Sequence, residues 1–230
     1  MGQNNKDVVY ILKSDIQPDE LKYSLRSLKN FPHNKVWFFC GCPFGIKPDV
    51  YVPFIQEGKT KWEKATSTYK VIANSDVSND FWLFNDDFYI LEEIETLPMM
   101  YRGTLKERVE DLQSKGGSSY CKKLDEARVE LESKGYNSLD YALHVPMLIN
   151  KQKALEVLNT FKSPMFRSLY GNYVNAGGVK TEDVKIYNGW SLPEKGQALL
   201  STSDVSFKIG AVGNYIRDRF PEPSRWEVIK

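Results

Sequence analysis

Asp80-Phe81-Trp82-Leu83-Phe84 runs directly into Asn85-Asp86-Asp87, which puts two adjacent carboxylates at the tip of an apolar segment. Like charges at such a place are costly unless something compensates them. A divalent cation is a natural partner, because Mg²⁺ and Mn²⁺ prefer carboxylate oxygens and leave positions open for phosphate. In an open α/β sheet, ligands bind outside the carboxyl ends of the strands, so the position suits a metal–diphosphate site. The same tripeptide is also good turn chemistry, with Asx hydrogen bonds to its own backbone. The strand in front of it is what favours the site.

His144 is one of two histidines and precedes Val145-Pro146 in an apolar stretch. It reads as a hydrogen-bonded core residue, or as a third metal ligand or a group touching phosphate or acceptor. His33, in a polar turn after Phe31-Pro32, reads as surface. Asp183 follows Gly177-Gly178, a pair that lets backbone approach a ligand; it is a candidate catalytic base or acceptor contact, and its neighbour Glu182 reads as solvated. Ser201-Thr202-Ser203-Asp204 is dense in hydroxyls, which suits either a phosphate site or a helix N-cap. Arg167, Lys180, Lys185 and Arg217 are candidate phosphate partners. No G-x-x-x-x-G-K-[ST], G-x-G-x-x-G, G-x-S-x-G or H-E-x-x-H occurs, so ordinary NTPase, dinucleotide, serine hydrolase and zinc protease signatures are missing.

The elements that position these residues follow from periodicity. The strand-like runs are Asp7–Leu12, Lys35–Cys40, Asp49–Ile55 (with Pro53 near a sheet edge) and Asp80–Phe84; Phe88–Leu91 then resumes the apolar pattern. Helices are expected over Glu20–Lys29, capped by Asp19 and with Leu21, Leu25 and Leu28 on one face, and over Lys61–Ala73, with Trp62, Ala65, Tyr69 and Ile72 on a stripe. Residues 102–135 are rich in charge and carry Gly116-Gly117-Ser118-Ser119 in the middle. They read as two amphipathic helices, either a solvated hairpin or a lid or acceptor-binding insert. Tyr141–Ile149 reads as a strand, Gln152–Phe161 as a helix, 163–190 as ordered loops and 218–230 as a tail.

This pattern is α/β with a mostly parallel sheet, expected as a single domain over 1–230 with a helical insert at about 102–135. The chain has 230 residues, 41% of them hydrophobic, and 31 basic against 30 acidic side chains, a net charge of +1. It is large enough to fold without a staple, and the balanced charge argues against nucleic-acid binding by overall field. Cys40, Cys42 and Cys121 cannot all pair; Cys40-Gly41-Cys42 is too tight for a zinc knuckle, so the thiols read as small packers in a reducing cytoplasm. No run of about 18 apolar residues predicts a membrane span. Met1–Lys6 lacks a signal core, and Lys6 stands where N-myristoylation after Gly2 needs Ser or Thr.

Asp7-Val8-Val9-Tyr10, Asp19–Leu28 and Phe81–Asp87, followed by His144-Val145-Pro146, resemble in order blocks of the Stealth family of sugar-phosphate transferases. The whole is also similar to small GT-A-type glycosyltransferases, including bacteriophage ones. The similarity covers about 7–90 well and 141–187 loosely. It implies a GT-A-like (Rossmann-like) fold and a nucleotide-diphosphate sugar donor, UDP-linked, at Tyr10, Ile11, Leu12, Lys13, Arg26, Asn85 and Asp86. It also implies Mn²⁺ or Mg²⁺ on Asp87, Asn85 and His144, with Asp86 near the ribose or sugar and Asp183 and Asp86 in catalysis. Asn85 replaces the first carboxylate of the usual Asp-x-Asp, and no tail matches the last Stealth block, which favours glycosyl over sugar-1-phosphate transfer. A non-catalytic nucleotide-sugar or carbohydrate-binding module is the alternative outside enzymes. The phage resemblance implies a hydroxymethylated pyrimidine in DNA as one acceptor, in the host cytoplasm, with Arg217, Arg219 and Arg225 beside the insert as a local basic surface. A glycan or a small hydroxylated molecule is the other class.

Overall fold

A computed structural model of the protein describes residues 6–228, without the side chains of Pro18, Lys61 and Trp62. The expectations about Met1–Asn5 and about the Trp62 side chain lie outside the described residues. In chain order the elements are β1 (Asp7–Leu12), α1 (Pro18–Ser27) with a 3₁₀ turn (Leu28–Asn30), β2 (Val36–Cys40), β3 (Val50–Val52), α2 (Lys61–Ala73), β4 (Asp80–Phe84), β5 (Phe88–Ile90) and β6 (Met100–Tyr101). Then come α3 (Leu105–Ser114), α4 (Ser119–Ser133), β7 (Met147–Asn150), α5 (Lys151–Thr160), α6 (Phe166–Tyr173), β8 (Val179–Lys180), β9 (Lys185–Ile186), β10 (Leu199–Thr202), α7 (Asp204–Ile209) and α8 (Ala211–Arg219).

The central sheet has the order β3-β2-β1-β4-β7. Its first four strands are parallel and β7 is antiparallel to β4. This is a mixed α/β fold with a central, mostly parallel sheet flanked by helices. Strand alternation divides the core. Val9, Phe81 and Leu83 face α2, the α3–α4 pair and α6, whereas Val8, Tyr10, Leu12, Trp82 and Phe84 face α1 and the C-terminal segment around Trp226. Two small sheets complete the site region: β5-β10-β9 and β6-β8.

Several elements depart from expectation. Helix α1 begins at Pro18, with Gln17 as a cap that makes no side-chain hydrogen bond. Proline's fixed φ suits the first helical turn, so Asp19 lies inside the helix rather than capping it. The expected strand over Tyr141–Ile149 is formed only from Met147 onward. Helix α6 emerges from a stretch expected to be loop; its Gly171 lies against the Tyr141 ring, where an added Cβ would stand 2.4 Å from it. The 102–135 segment does form two helices, but it is no solvated hairpin. Leu105, Val109, Cys121, Leu124, Ala127 and Leu131 are buried in the main core, which ties the pair down and does not suit a swinging lid. The C-terminal tail is likewise docked through buried Phe220 and Trp226. Among the described residues the three cysteines are free thiols, and no helix is long and apolar enough to cross a membrane.

Candidate functional site

Strand pairing explains why distant residues meet at one end of the sheet. Met147 pairs with Leu83 in antiparallel register, so the chain entering β7, which carries His144-Val145-Pro146, arrives beside the carboxyl end of β4 and Asn85. Tyr101 pairs with Lys180, which brings the residue after one, Arg102, near Asp183. Ser201 pairs with both Phe88 and Lys185, and this sets Ser201 and Lys185 around Asp87.

The histidine is held by a carboxylate. Asp183 Oδ2 accepts from His144 Nδ1 at 2.8 Å, and Asp183 Oδ1 accepts from the His144 amide at 3.1 Å. Arg102 Nη2 donates to the same Oδ2 at 2.7 Å. A carboxylate on Nδ1 fixes the tautomer in which that nitrogen carries the proton, leaving Nε2 as the free base. Burial alone pushes the Asp183 carboxyl up; the hydrogen bonds and charge of His144, with Arg102, outweigh it and hold Asp183 at about 2. So acidic a carboxylate, with both oxygens occupied, is a poor proton acceptor. The arrangement does not suit the base role expected of Asp183, and the nitrogen that the pair leaves open is His144 Nε2.

Asp87 is almost fully buried and is already neutralised. Its Oδ2 accepts from Lys185 Nζ at 2.8 Å and from Ser201 Oγ at 2.9 Å. Asp86 forms no salt bridge among the described residues. Burial first, then the adjacent Asp87, raise its pKa to about 6, with Lys13 partly offsetting them. Glu20, in the first turn of α1, accepts from Thr202 Oγ1 at 2.8 Å. Burial, followed by Asp86, Asp87 and Asp204, pushes it up to about 8 despite that bond. The end of β4 thus carries crowded negative charge. The Asn85 carbonyl meanwhile accepts from the Phe88 amide at 3.3 Å, so the tripeptide is also a turn.

Two of the three residues expected from the resemblance to hold a metal, Asp87 and His144, already have protein partners, although His144 Nε2 is left open. Asp87 is capped by Lys185 and Ser201, and His144 Nδ1 by Asp183. Among the described residues no three His, Cys, Asp or Glu side chains converge as a ligand group. The donor that does fit a hard cation is Asp86, a carboxylate without a counter-charge, with the Asn85 amide next to it.

A cavity of about 450 Å³ lies against this site, lined among others by Asn85, Arg102, Arg108, His144, Arg167 and Asp183. Tyr69, stacked on Phe166 at 3.8 Å between centroids, gives it an aromatic wall, and Tyr187 meets the His144 ring edge-on. Arg167 donates through Nη1 to the carbonyls of Val145 (2.7 Å) and Leu143 (3.2 Å) and lies over the Phe88 ring.

Other expected donor contacts lie elsewhere. Tyr10 is fully buried, with its hydroxyl on Ser24 and its ring among Phe38 and Phe84, so it cannot stack a base. Leu12 is core as well, and Ile11 packs against the opposite core. Lys13 alone of this group is exposed at the strand mouth. Arg26 grips Glu227 through Nε and Nη2 at 2.8 and 2.7 Å, and Nη1 donates to the carbonyls of Phe220 and Pro221. It fastens the C-terminal segment rather than a nucleotide. Arg217, Arg219 and Arg225 are bound to Asn214, Glu92 and Asp49, so they are tied to the fold rather than set out as a basic strip. Ser203, as expected, caps a helix, α7. Sequence reasoning missed Glu20, Arg102 and Arg108 as site residues; nothing local distinguishes them from helix-surface charges. No protein-family model matches the chain, and no curated protein is significantly similar to it.

Proposed function

We propose that this protein is a glycosyltransferase of GT-A-like organisation, moving a sugar from a nucleotide-diphosphate donor, UDP-linked, to a hydroxyl acceptor in the cavity beside His144. The observation that carries the reading is the His144–Asp183 pair sharing one cavity with Asn85 at the carboxyl end of β4. Ligand sites of open α/β sheets lie at such an edge. The sheet order, with one antiparallel strand after the acidic turn, supports the GT-A comparison.

In this reading His144 Nε2 takes the proton of the acceptor hydroxyl as it attacks the sugar. Asp183 keeps the ring aligned and stabilises the imidazolium that forms. Lys13, exposed just after β1 and close enough to act on the Asp86 charge, is a cation that could meet the donor phosphates. Asp86, with Asn85, would hold Mn²⁺ or Mg²⁺, which when bound neutralises charge growing on the leaving diphosphate. The acceptor is a small hydroxylated molecule or the end of a glycan. A hydroxymethylated pyrimidine in DNA fits only if its base leaves the helix, since the cavity is too small for a duplex.

The test is turnover of UDP-sugars with Mn²⁺ across an acceptor panel, with wild type compared to Asp86→Asn and His144→Gln. Release of UDP that falls in both variants supports the proposal. Release of UMP would assign sugar-1-phosphate transfer, and tight donor binding with no turnover on any acceptor would reduce the protein to a binding module.

A further inference from the structure

Among the arginines that line the cavity, Arg167 is the one without a carboxylate partner among the described residues. Its guanidinium is buried, and desolvation pulls its pKa down against the weaker help of Tyr69, Asp87 and Asp183. It forms no salt bridge among the described residues. Its Nη1 is held by two carbonyls, whereas Nη2 is buried without a hydrogen-bond partner. A buried cation without a salt-bridge partner is costly to keep charged, and pinning residues 143–145 explains only one of its two terminal nitrogens.

The same cavity is lined by two further guanidiniums with unmet donors. Arg102 binds Asp183 and Arg108 binds Asp111 through terminal nitrogens, and Nε of each is buried and unpartnered. Three arginines around one hollow of about 450 Å³, with Asp183 the one carboxylate lining it among the described residues, match a tetrahedral dianion better than a neutral sugar, because guanidinium forks suit phosphate oxygens. Asn85 and His144 line the same hollow, so an anion held there would sit next to the proposed transfer chemistry.

We infer that the acceptor is a small phosphate monoester, its phosphate bound by Arg167 with Arg102 and Arg108, and its hydroxyl presented to His144. This rests on the glycosyl-transfer reading for the word acceptor; the anion site itself does not need it.

Inorganic phosphate is the probe. It is titrated calorimetrically into the full chain at constant ionic strength, with chloride as control, with and without saturating UDP and Mg²⁺. The expected result is binding that survives UDP and weakens about tenfold or more in Arg167→Gln, since a hydrogen bond to a charged group is worth a factor of that order. A smaller loss is expected in Arg108→Gln. Phosphate binding that is absent, or unchanged in Arg167→Gln, overturns the site. Competition by UDP would hand Arg167 to the donor diphosphate and overturn the acceptor assignment. Should Arg167→Gln fail to fold by circular dichroism, Arg108→Gln decides: unchanged affinity there overturns the proposal. A second arm compares glycerol 3-phosphate with glycerol as acceptors and as ligands, and a single-stranded oligonucleotide. Preference for the phosphate monoester supports the inference, and binding of the oligonucleotide alone overturns it in favour of a polymer. A protein that binds phosphate through Arg167 yet moves no sugar loses the transfer reading and keeps the anion site. One that turns over UDP-sugar with phosphate binding indifferent to Arg167 loses only the anion site.

Discussion

The two ends of the central sheet treat buried charge in opposite ways. At the amino-terminal end of β1, Asp7 is 3% exposed and fully served: it accepts from Asn34 Nδ2 (2.9 Å), the Lys35 amide (3.1 Å) and the Ser78 amide (2.9 Å). Arg26, close to the C-terminal segment, is equally satisfied by one carboxylate and two carbonyls. At the carboxyl end, Asp86 has no salt-bridge partner among the described residues, Glu20 is forced towards its neutral form, and Arg167 leaves a nitrogen unmet. Buried polar groups are normally paired. Full pairing at one end marks residues that hold the fold together. The mismatch at the other, where charges of both signs stand within one small region, is the pattern that functional sites often carry.

The comparison can be broken most sharply at His144. Its replacement by Gln should lower turnover by about 10²–10⁴-fold, the range for loss of a general base, while leaving unfolding by urea within ~1 kcal/mol of wild type. Retained UDP release would make the His144–Asp183 pair a structural tie like Asp7. At the satisfied end the expectation reverses. Asp7→Ala strands three donors and should cost about 2–4 kcal/mol in urea unfolding, with turnover unaffected wherever the variant is folded. Arg26→Ala should cost about 2 kcal/mol by breaking a mostly buried ion pair. A loss of donor affinity in that variant, rather than of stability, would return Arg26 to the nucleotide site. Glu20→Gln should gain about 2 kcal/mol at pH 8: at about 1.4 kcal/mol per pKa unit the shift has a ceiling of about 4–5 kcal/mol, and the partial exposure of the carboxyl screens it to less than half of that. The Glu20 carboxyl stays protonated in the folded chain up to about 8 but ionises near its ordinary value when unfolded. Wild type thus loses stability as pH rises through that window and the variant does not. Equal melting profiles for the two from pH 4 to 8 would show Glu20 to be solvated.

How much of this was legible beforehand depended on the range of the physics. The β1, β4 and α2 segments announced themselves through local periodicity, and the acidic turn after Phe84 through a single tripeptide. Which charges face inward was not legible, since it is set by pairings such as Met147 with Leu83 and Ser201 with Lys185, between residues far apart in the chain. Tyr10 was placed beside the nucleotide only by the resemblance, and an aromatic on a first strand carries no mark of which face it occupies; the alternation puts it beside Val8 and Leu12 in the core. Helix α6 was hidden by Gly171 and Asn172, poor helix formers, which are buried here against Tyr141 and Leu139. Asp183 stood out as a base or acceptor contact because it follows a glycine pair, but nothing in the sequence shows that Arg102 and His144 close on it.

The smallest effect is the most discriminating for the open end of the sheet. Asp86 is raised to about 6 from an ordinary 3.8, so between those values the unfolded chain has released a proton that the folded chain keeps. Stability therefore falls as pH climbs through 4 to 6 and stays lower beyond. Asn mimics the protonated carboxyl and feels none of this. Asp86→Asn should match wild type near pH 3 and exceed it by about 1–2 kcal/mol at pH 7, below the ceiling of about 3 kcal/mol that a shift of this size implies because the carboxyl is partly exposed. Added Mg²⁺ should shrink the gap from the wild-type side only, because a cation that binds the folded carboxylate stabilises the native state and finds no charge on the amide. A gap that is absent at pH 7 would mean that Asp86 is solvated, and the contrast between the two ends of the sheet would fail at its central residue. A gap that appears but ignores Mg²⁺ would keep the strained carboxylate and remove the cation, leaving Lys13 to meet the diphosphate.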